Sequence, residues 1–147
     1  MTEQAVIVIR IRKNVTNPRN LYLIDSITEI TPAMSSGIVV SGSHGGISSS
    51  RYVEAQPRKP WAVFLNDAGV GKNQAGIAAL SRLEPYGVMV FCYSHESACI
   101  GQAQDAFECG VVRFINTSVR AHFQLGNAVG QSVFDLVRKL GGRTPHR

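Results

Sequence analysis

Cysteine is scarce in this chain, and the three present (Cys92, Cys99 and Cys109) form no Cys-x-x-Cys pair. An odd, scattered set of thiols argues against a disulfide framework and for a reducing cytoplasm. Long apolar runs are missing too. No stretch approaches the ~18 residues of a membrane span. The opening Met1-Thr-Glu-Gln lacks the basic-then-apolar layout of a secretory signal. Aromatic residues make up only 7% of the chain and charged residues 17%, against 44% hydrophobic residues. That balance excludes disordered, collagen-like and coiled-coil classes. At 147 residues the expectation is one soluble cytoplasmic domain, with residues 1–20 an edge strand or arm and 141–147 a basic tail. Such a chain hides roughly two thirds of its unfolded surface, enough for a core without staples.

The net charge of +5 is unevenly placed. Arg10, Arg12, Lys13 and Arg19 precede residue 20, and Arg138, Lys139, Arg143 and Arg147 fall in the last ten residues. Between residues 20 and 137, seven Lys/Arg face nine Asp/Glu, so the body is slightly acidic. A nucleic-acid surface needs a basic stripe with interleaved aromatics, and neither is present. The expected partners are a small-molecule substrate and further copies of the chain, not nucleic acid or a membrane. Self-association rests on the segment from Ala5 to Ile11, apolar on both faces and so suited to pairing in a sheet or with another subunit.

Five short apolar runs punctuate the rest: Leu21–Ile24, Gly37–Val40, Trp61–Leu65, Val88–Cys92 and Val111–Ile115, the last broken by Arg113. Continuous rather than alternating runs predict strands buried on both faces, hence a parallel sheet covered by helices. Helix-compatible stretches lie between them, at about Ile47–Ala55, Asn73–Leu83, Ser97–Cys109 and Ser118–Leu140. Gly87 and Gly110 stand where a helix-closing glycine is expected. The predicted fold is α/β, a three-layer sandwich of about five mainly parallel strands flanked by helices.

Ligands of open parallel sheets bind outside the carboxyl ends of the strands. Those positions read Asp25-Ser26, Ser41-Gly-Ser-His44-Gly-Gly46, Asn66-Asp67-Ala-Gly-Val-Gly71-Lys72, Ser94-His95-Glu-Ser97 and Asn116-Thr-Ser118. Helix capping accounts for Ser26, Ser97, Ser118 and Asn73. It does not account for His44, set among glycines that suit a tight turn or a closely approaching ligand. The expected catalytic residues are His44 as general base or acid, Asp67 as its orienting carboxylate, and Ser94 and His95 beside them. Ser43, Gly45, Gly46, Asn66, Gly71, Lys72 and Asn116 are the expected substrate-binding residues. Lys72 follows Gly-x-Gly, but Asn66 stands where a phosphate loop needs its first glycine, which argues against a nucleotide triphosphatase. Ser41, Ser43 and Ser94 lack the Gly-x-Ser-x-Gly elbow of a hydrolase nucleophile. Cys99 is the weaker nucleophile candidate, and Cys92 and Cys109 read as core.

No cofactor is expected. Asp25, His44, Asp67 and His95 supply zinc-compatible atoms, though no local His-x-x-x-His or Cys-x-x-Cys anchors a divalent metal. A strand ending in Gly-Ser-His44-Gly, followed by one ending in Phe-Leu-Asn66, resembles the caspase and gingipain-type peptidase fold over about residues 37–92. That resemblance implies a catalytic histidine at His44. The family's cysteine falls near Asp67-Ala68, where this chain has none. Two functions follow: a hydrolase or lyase of small-molecule metabolism acting on an anionic or amide-containing substrate, or a non-catalytic ligand-binding or assembly subunit using the same pocket.

Overall fold

Six strands form one mixed sheet in the order β5-β4-β3-β2-β1-β6 in the computed structural model, which describes residues 18–122, 125 and 127–146. They are β1 (Arg19–Ile24), β2 (Ile38–His44), β3 (Ala62–Asn66), β4 (Met89–Tyr93), β5 (Val112–Ile115) and β6 (Gly142–His146). Neighbouring strands run parallel except β4 and β5, which pair antiparallel. The helices are α1 (Ile47–Glu54), α2 (Ala79–Arg82), α3 (Ala103–Cys109), α4 (Thr117–Arg120) and α5 (Val133–Lys139).

The α/β sandwich expected from the apolar runs is present, with two corrections to its sheet. The last strand read from the sequence is antiparallel, and the segment expected to be a basic tail supplies a sixth strand beside β1. The self-pairing segment Ala5–Ile11 lies outside the described residues.

Alternate strand residues feed two cores. Val40, Phe64, Phe91 and Tyr93 face α3 and α5, and meet Ala106, Val133 and Leu136. Val39, Val63, Leu65 and Cys92 face the other side, with Val53, Ile77 and Leu83. Both faces are therefore dry, which is why the runs are continuous. The rings of Phe64 and Phe91, opposite each other in register, stack 4.2 Å apart. Burying each contributes roughly 1.5–3 kcal/mol.

The helices are shorter than the composition suggests, for local reasons. Asn73 and Gln74 adopt left-handed backbone (φ 55° and 62°), so the expected helix over Asn73–Leu83 survives only as 3₁₀ turns and α2. Ser97 is tied into a turn by donating its hydroxyl to the Ser94 carbonyl, and Gly101 has φ 74°, so α3 starts late, at Ala103. The expected long helix over Ser118–Leu140 divides into α4 and α5. The Ser132 hydroxyl restarts it by accepting the Asp135 N–H.

Candidate active site

Because β1 to β4 run parallel, Asp25, His44, Asp67 and Ser94-His95 all leave the sheet at one edge. Asn116 does not join them. β5 runs the other way, so its last residue reaches the start of β4, where the Asn116 amide accepts the Val90 N–H and donates to the carbonyls of Val88 and Leu80. That reversal brings the front of β5, and with it Arg113, to the edge that Asn116 leaves.

Asp67 is the centre of the edge and is fully buried. Its N–H donates to the Tyr93 carbonyl, carrying the β3–β4 pairing one residue past β3 and drawing Asp67 toward β4. Oδ1 accepts the N–H groups of Gly69 (2.8 Å) and His95 (3.1 Å). The His95 Nδ1 lies 3.3 Å from the same oxygen, within ion-pair distance though not aligned as a hydrogen bond. Oδ2 accepts no hydrogen bond and sits 3.8 Å from an Arg113 Nη1. A buried carboxylate needs such compensation, since desolvating one unpaired costs several kcal/mol.

His95 is arranged asymmetrically. Nδ1 is buried against Asp67, while the side chain as a whole is 43% exposed. Gly69 packs on the ring: a Cβ there would approach Cε1 to 3.3 Å, and the residue has φ 69°. Arg113 is 49% exposed and also covers the Phe114 ring.

The loop after Asp67 is strained. Ala68, Val70, Asn73 and Gln74 all have positive φ, at 72° for the β-branched Val70. Each costs of order 1 kcal/mol or more and persists where surrounding contacts impose it. Here the Val70 N–H donates to the Asp67 carbonyl and the Gly76 N–H to the Val70 carbonyl, both at 2.7 Å. Gly76 has no room for a side chain, because a Cβ would stand 2.5 Å from the Asp67 carbonyl oxygen.

The other expected site residues fall outside this centre. His44 is exposed at the end of β2, opposite Asn66 in register, and its imidazole makes no hydrogen bond among the described residues. The carboxylate expected to orient it faces His95 instead. Ser94 is buried with its hydroxyl accepting the Glu96 N–H, and the Ser43 hydroxyl accepts the Ile27 N–H. Asn66 accepts the Ala68 N–H and donates to the Ala98 carbonyl. Gly45 and Gly46 allow close packing, on Cys92 and the Gly76 carbonyl and on the Ala75 carbonyl respectively. The N–H groups of Ser43, Gly45, Gly69 and Val70 are spent inside the fold. Gly71 and Lys72 are exposed. Asp25 accepts the Ala103 N–H, and no group of three His, Cys, Asp or Glu converges among the described residues.

Cys92 is buried as expected, and burial together with the Asp67 charge pushes its thiol well up. Cys109, read as core, is exposed, as is Cys99. Two residues of this edge escaped sequence reasoning. Arg113 had a signal, as the cation that breaks the last of the five apolar runs. Tyr93 had none: it sits in an apolar strand, yet its buried hydroxyl donates to the Ser41 carbonyl at 2.6 Å and burial raises its pKa.

Compared with known family models, curated proteins and solved structures, the chain has no significant match. The site is therefore read from its own chemistry.

Proposed function

We propose that the protein is a small-molecule hydrolase or lyase in which His95, aligned by Asp67, acts as general base and acid. The observation that carries this reading is the fully buried Asp67 carboxylate facing the buried Nδ1 of an imidazole whose remainder reaches solvent. A carboxylate acceptor at Nδ1 favours the Nδ1–H tautomer and leaves the Nε2 lone pair available for a substrate proton. Misalignment in the absence of substrate is usual for such pairs, which tighten in the Michaelis complex. Arg113 would meet an anionic or carbonyl oxygen of the substrate, having a partly exposed guanidinium only 3.8 Å from Asp67. His44 then serves at the rim. Cysteine peptidase chemistry of the caspase type is not part of the proposal, since Asp67 occupies the position that the resemblance gives to cysteine.

One observation favours the second reading, a non-catalytic ligand-binding or assembly subunit: several loop N–H donors suited to an oxyanion already bond within the protein. Two measurements separate the readings. Long-range ¹⁵N–¹H NMR of His95 should show the Nδ1–H tautomer at neutral to basic pH, and should lose that preference in Asp67→Asn. In a panel of ester, amide and hydroxy-acid substrates, the activity found in the native protein should vanish in His95→Ala. It should fall about 10²- to 10⁴-fold in Asp67→Asn. An Nε2–H tautomer, or turnover indifferent to His95→Ala, removes the proposal.

A further inference from the structure

At the opposite end of the sheet, the start of β1, the residues leading into β2 and Arg143 near the start of β6 border a cleft of about 290 Å³. Arg19, Asn20, Ser35, Ser36, Gly37 and Arg143 line it. Arg19 and Arg143 both line this space, and no carboxylate among the described residues does. Neither has an ion-pair partner among the described residues.

Each guanidinium is held in place by neutral groups. The Arg19 Cζ lies 3.6 Å from the centroid of the Trp61 ring, and its Nη1 donates to the Ser36 carbonyl at 2.9 Å. Its Nε is buried with no hydrogen-bond partner, and burial pulls its pKa below the ordinary guanidinium value. An Arg143 Nη2 donates to the Asn20 Oδ1 at 2.7 Å. Orientation is thus supplied while no opposite charge among the described residues pairs with either guanidinium. Backbone constraint shapes the wall between them. Ser36 has φ 62° and donates its N–H to the Lys59 carbonyl, and a Cβ on Gly37 would stand 2.8 Å from the Tyr22 ring.

We propose that this cleft is a second ligand site, taking a phosphoryl or carboxylate oxyanion between Arg19 and Arg143. The planar fork of arginine matches both groups, and charge-assisted bonds to them are about twice as strong as neutral ones. The hydroxyls of Ser35 and Ser36, which bond to no described residue, supply further donors to the same oxygens. Strands of five to seven residues separate the cleft from Asp67 by roughly 16–23 Å at about 3.3 Å per residue. The ligand here is therefore not the molecule transformed at His95, and this site stands whether or not that centre is catalytic.

Trp61 is the single tryptophan of the chain, so its fluorescence reports directly on Arg19. The full chain is titrated with inorganic phosphate and separately with succinate, each at ionic strength held constant with sodium chloride. A saturable change in emission, with a matching rise in thermal midpoint, is expected for at least one of them. Phosphate alone would mark a phosphoryl site, and succinate a carboxylate site. Arg143→Gln, a surface change, should keep the native thermal midpoint without anion and weaken the saturable response about tenfold. Arg19→Lys, which keeps the charge and loses the fork, should weaken it at least as much. The proposal is overturned if neither anion gives a saturable response. A response equal in Arg143→Gln, or reproduced by chloride alone, overturns it too.

Discussion

Asp67 shows how one side chain can settle the chemistry of an edge. Its Oδ1 accepts two backbone N–H groups, so the carboxylate is positioned by the turn it caps and cannot follow a mobile partner. The partner is then whichever imidazole that turn presents, and that is His95. The sequence made His44 the more conspicuous histidine because glycines surround it, yet Gly45 and Gly46 are explained by close approach of the 75–76 backbone. The same carboxylate leaves a mark on Cys92. Burial and the neighbouring negative charge both disfavour its thiolate, while Cys99 and Cys109 face solvent. A thiol reagent at neutral pH should therefore modify Cys99 quickly in the native protein, Cys109 more slowly because desolvation and the neighbouring Asp105 and Glu108 raise its thiol, and Cys92 only on unfolding. Rapid loss of all three thiols under native conditions would show that the floor of the site is open.

Among the elements, the loop from Asp67 to Gly76 is where local preference and native structure disagree most. From Asn73 onward it reads as helix, but the left-handed backbone at Asn73 and Gln74, continuing that of Ala68 and Val70, forbids one there. Hydrogen bonds from Ala68 to Asn66, from Gly69 to Asp67 and from Gly76 to Val70 impose the alternative. Strain of this kind is relieved by glycine, which visits positive φ without a Cβ penalty. Ala68→Gly should therefore raise stability by about 1 kcal/mol, read as a higher midpoint in urea with an unchanged slope. A clear loss of stability would mean that the loop is not left-handed at that position. If the loop serves catalysis by rigidity, the same variant should lower turnover while it stabilises the fold.

For the whole molecule, the direction of β5 decides which residues share an end. Asn116 fixes that direction by bonding to Val90, Val88 and Leu80 around the start of β4. Replacing it with alanine strands several buried backbone groups at once, each costing about 1–3 kcal/mol. Asn116→Ala should destabilise by about 3 kcal/mol, measured by chemical denaturation, without touching the Asp67 edge directly. An effect under 0.5 kcal/mol would contradict the bonding described. The sequence by itself determined five of the six described strands, the burial of both sheet faces and the α/β class, because burial acts on each run independently of its neighbours. It also marked the polar strand ends, since a parallel sheet must turn there into loops. It carried no information on strand direction: an apolar run of four residues reads alike both ways, and only its neighbours in space choose. That choice moved Asn116 away, brought Arg113 in and left a pair of arginines facing a cleft at the far end. Pairing of Asp67 with His95 was likewise decided by the tertiary structure, where a buried carboxylate bonds the N–H groups that close around it, 28 residues apart along the chain.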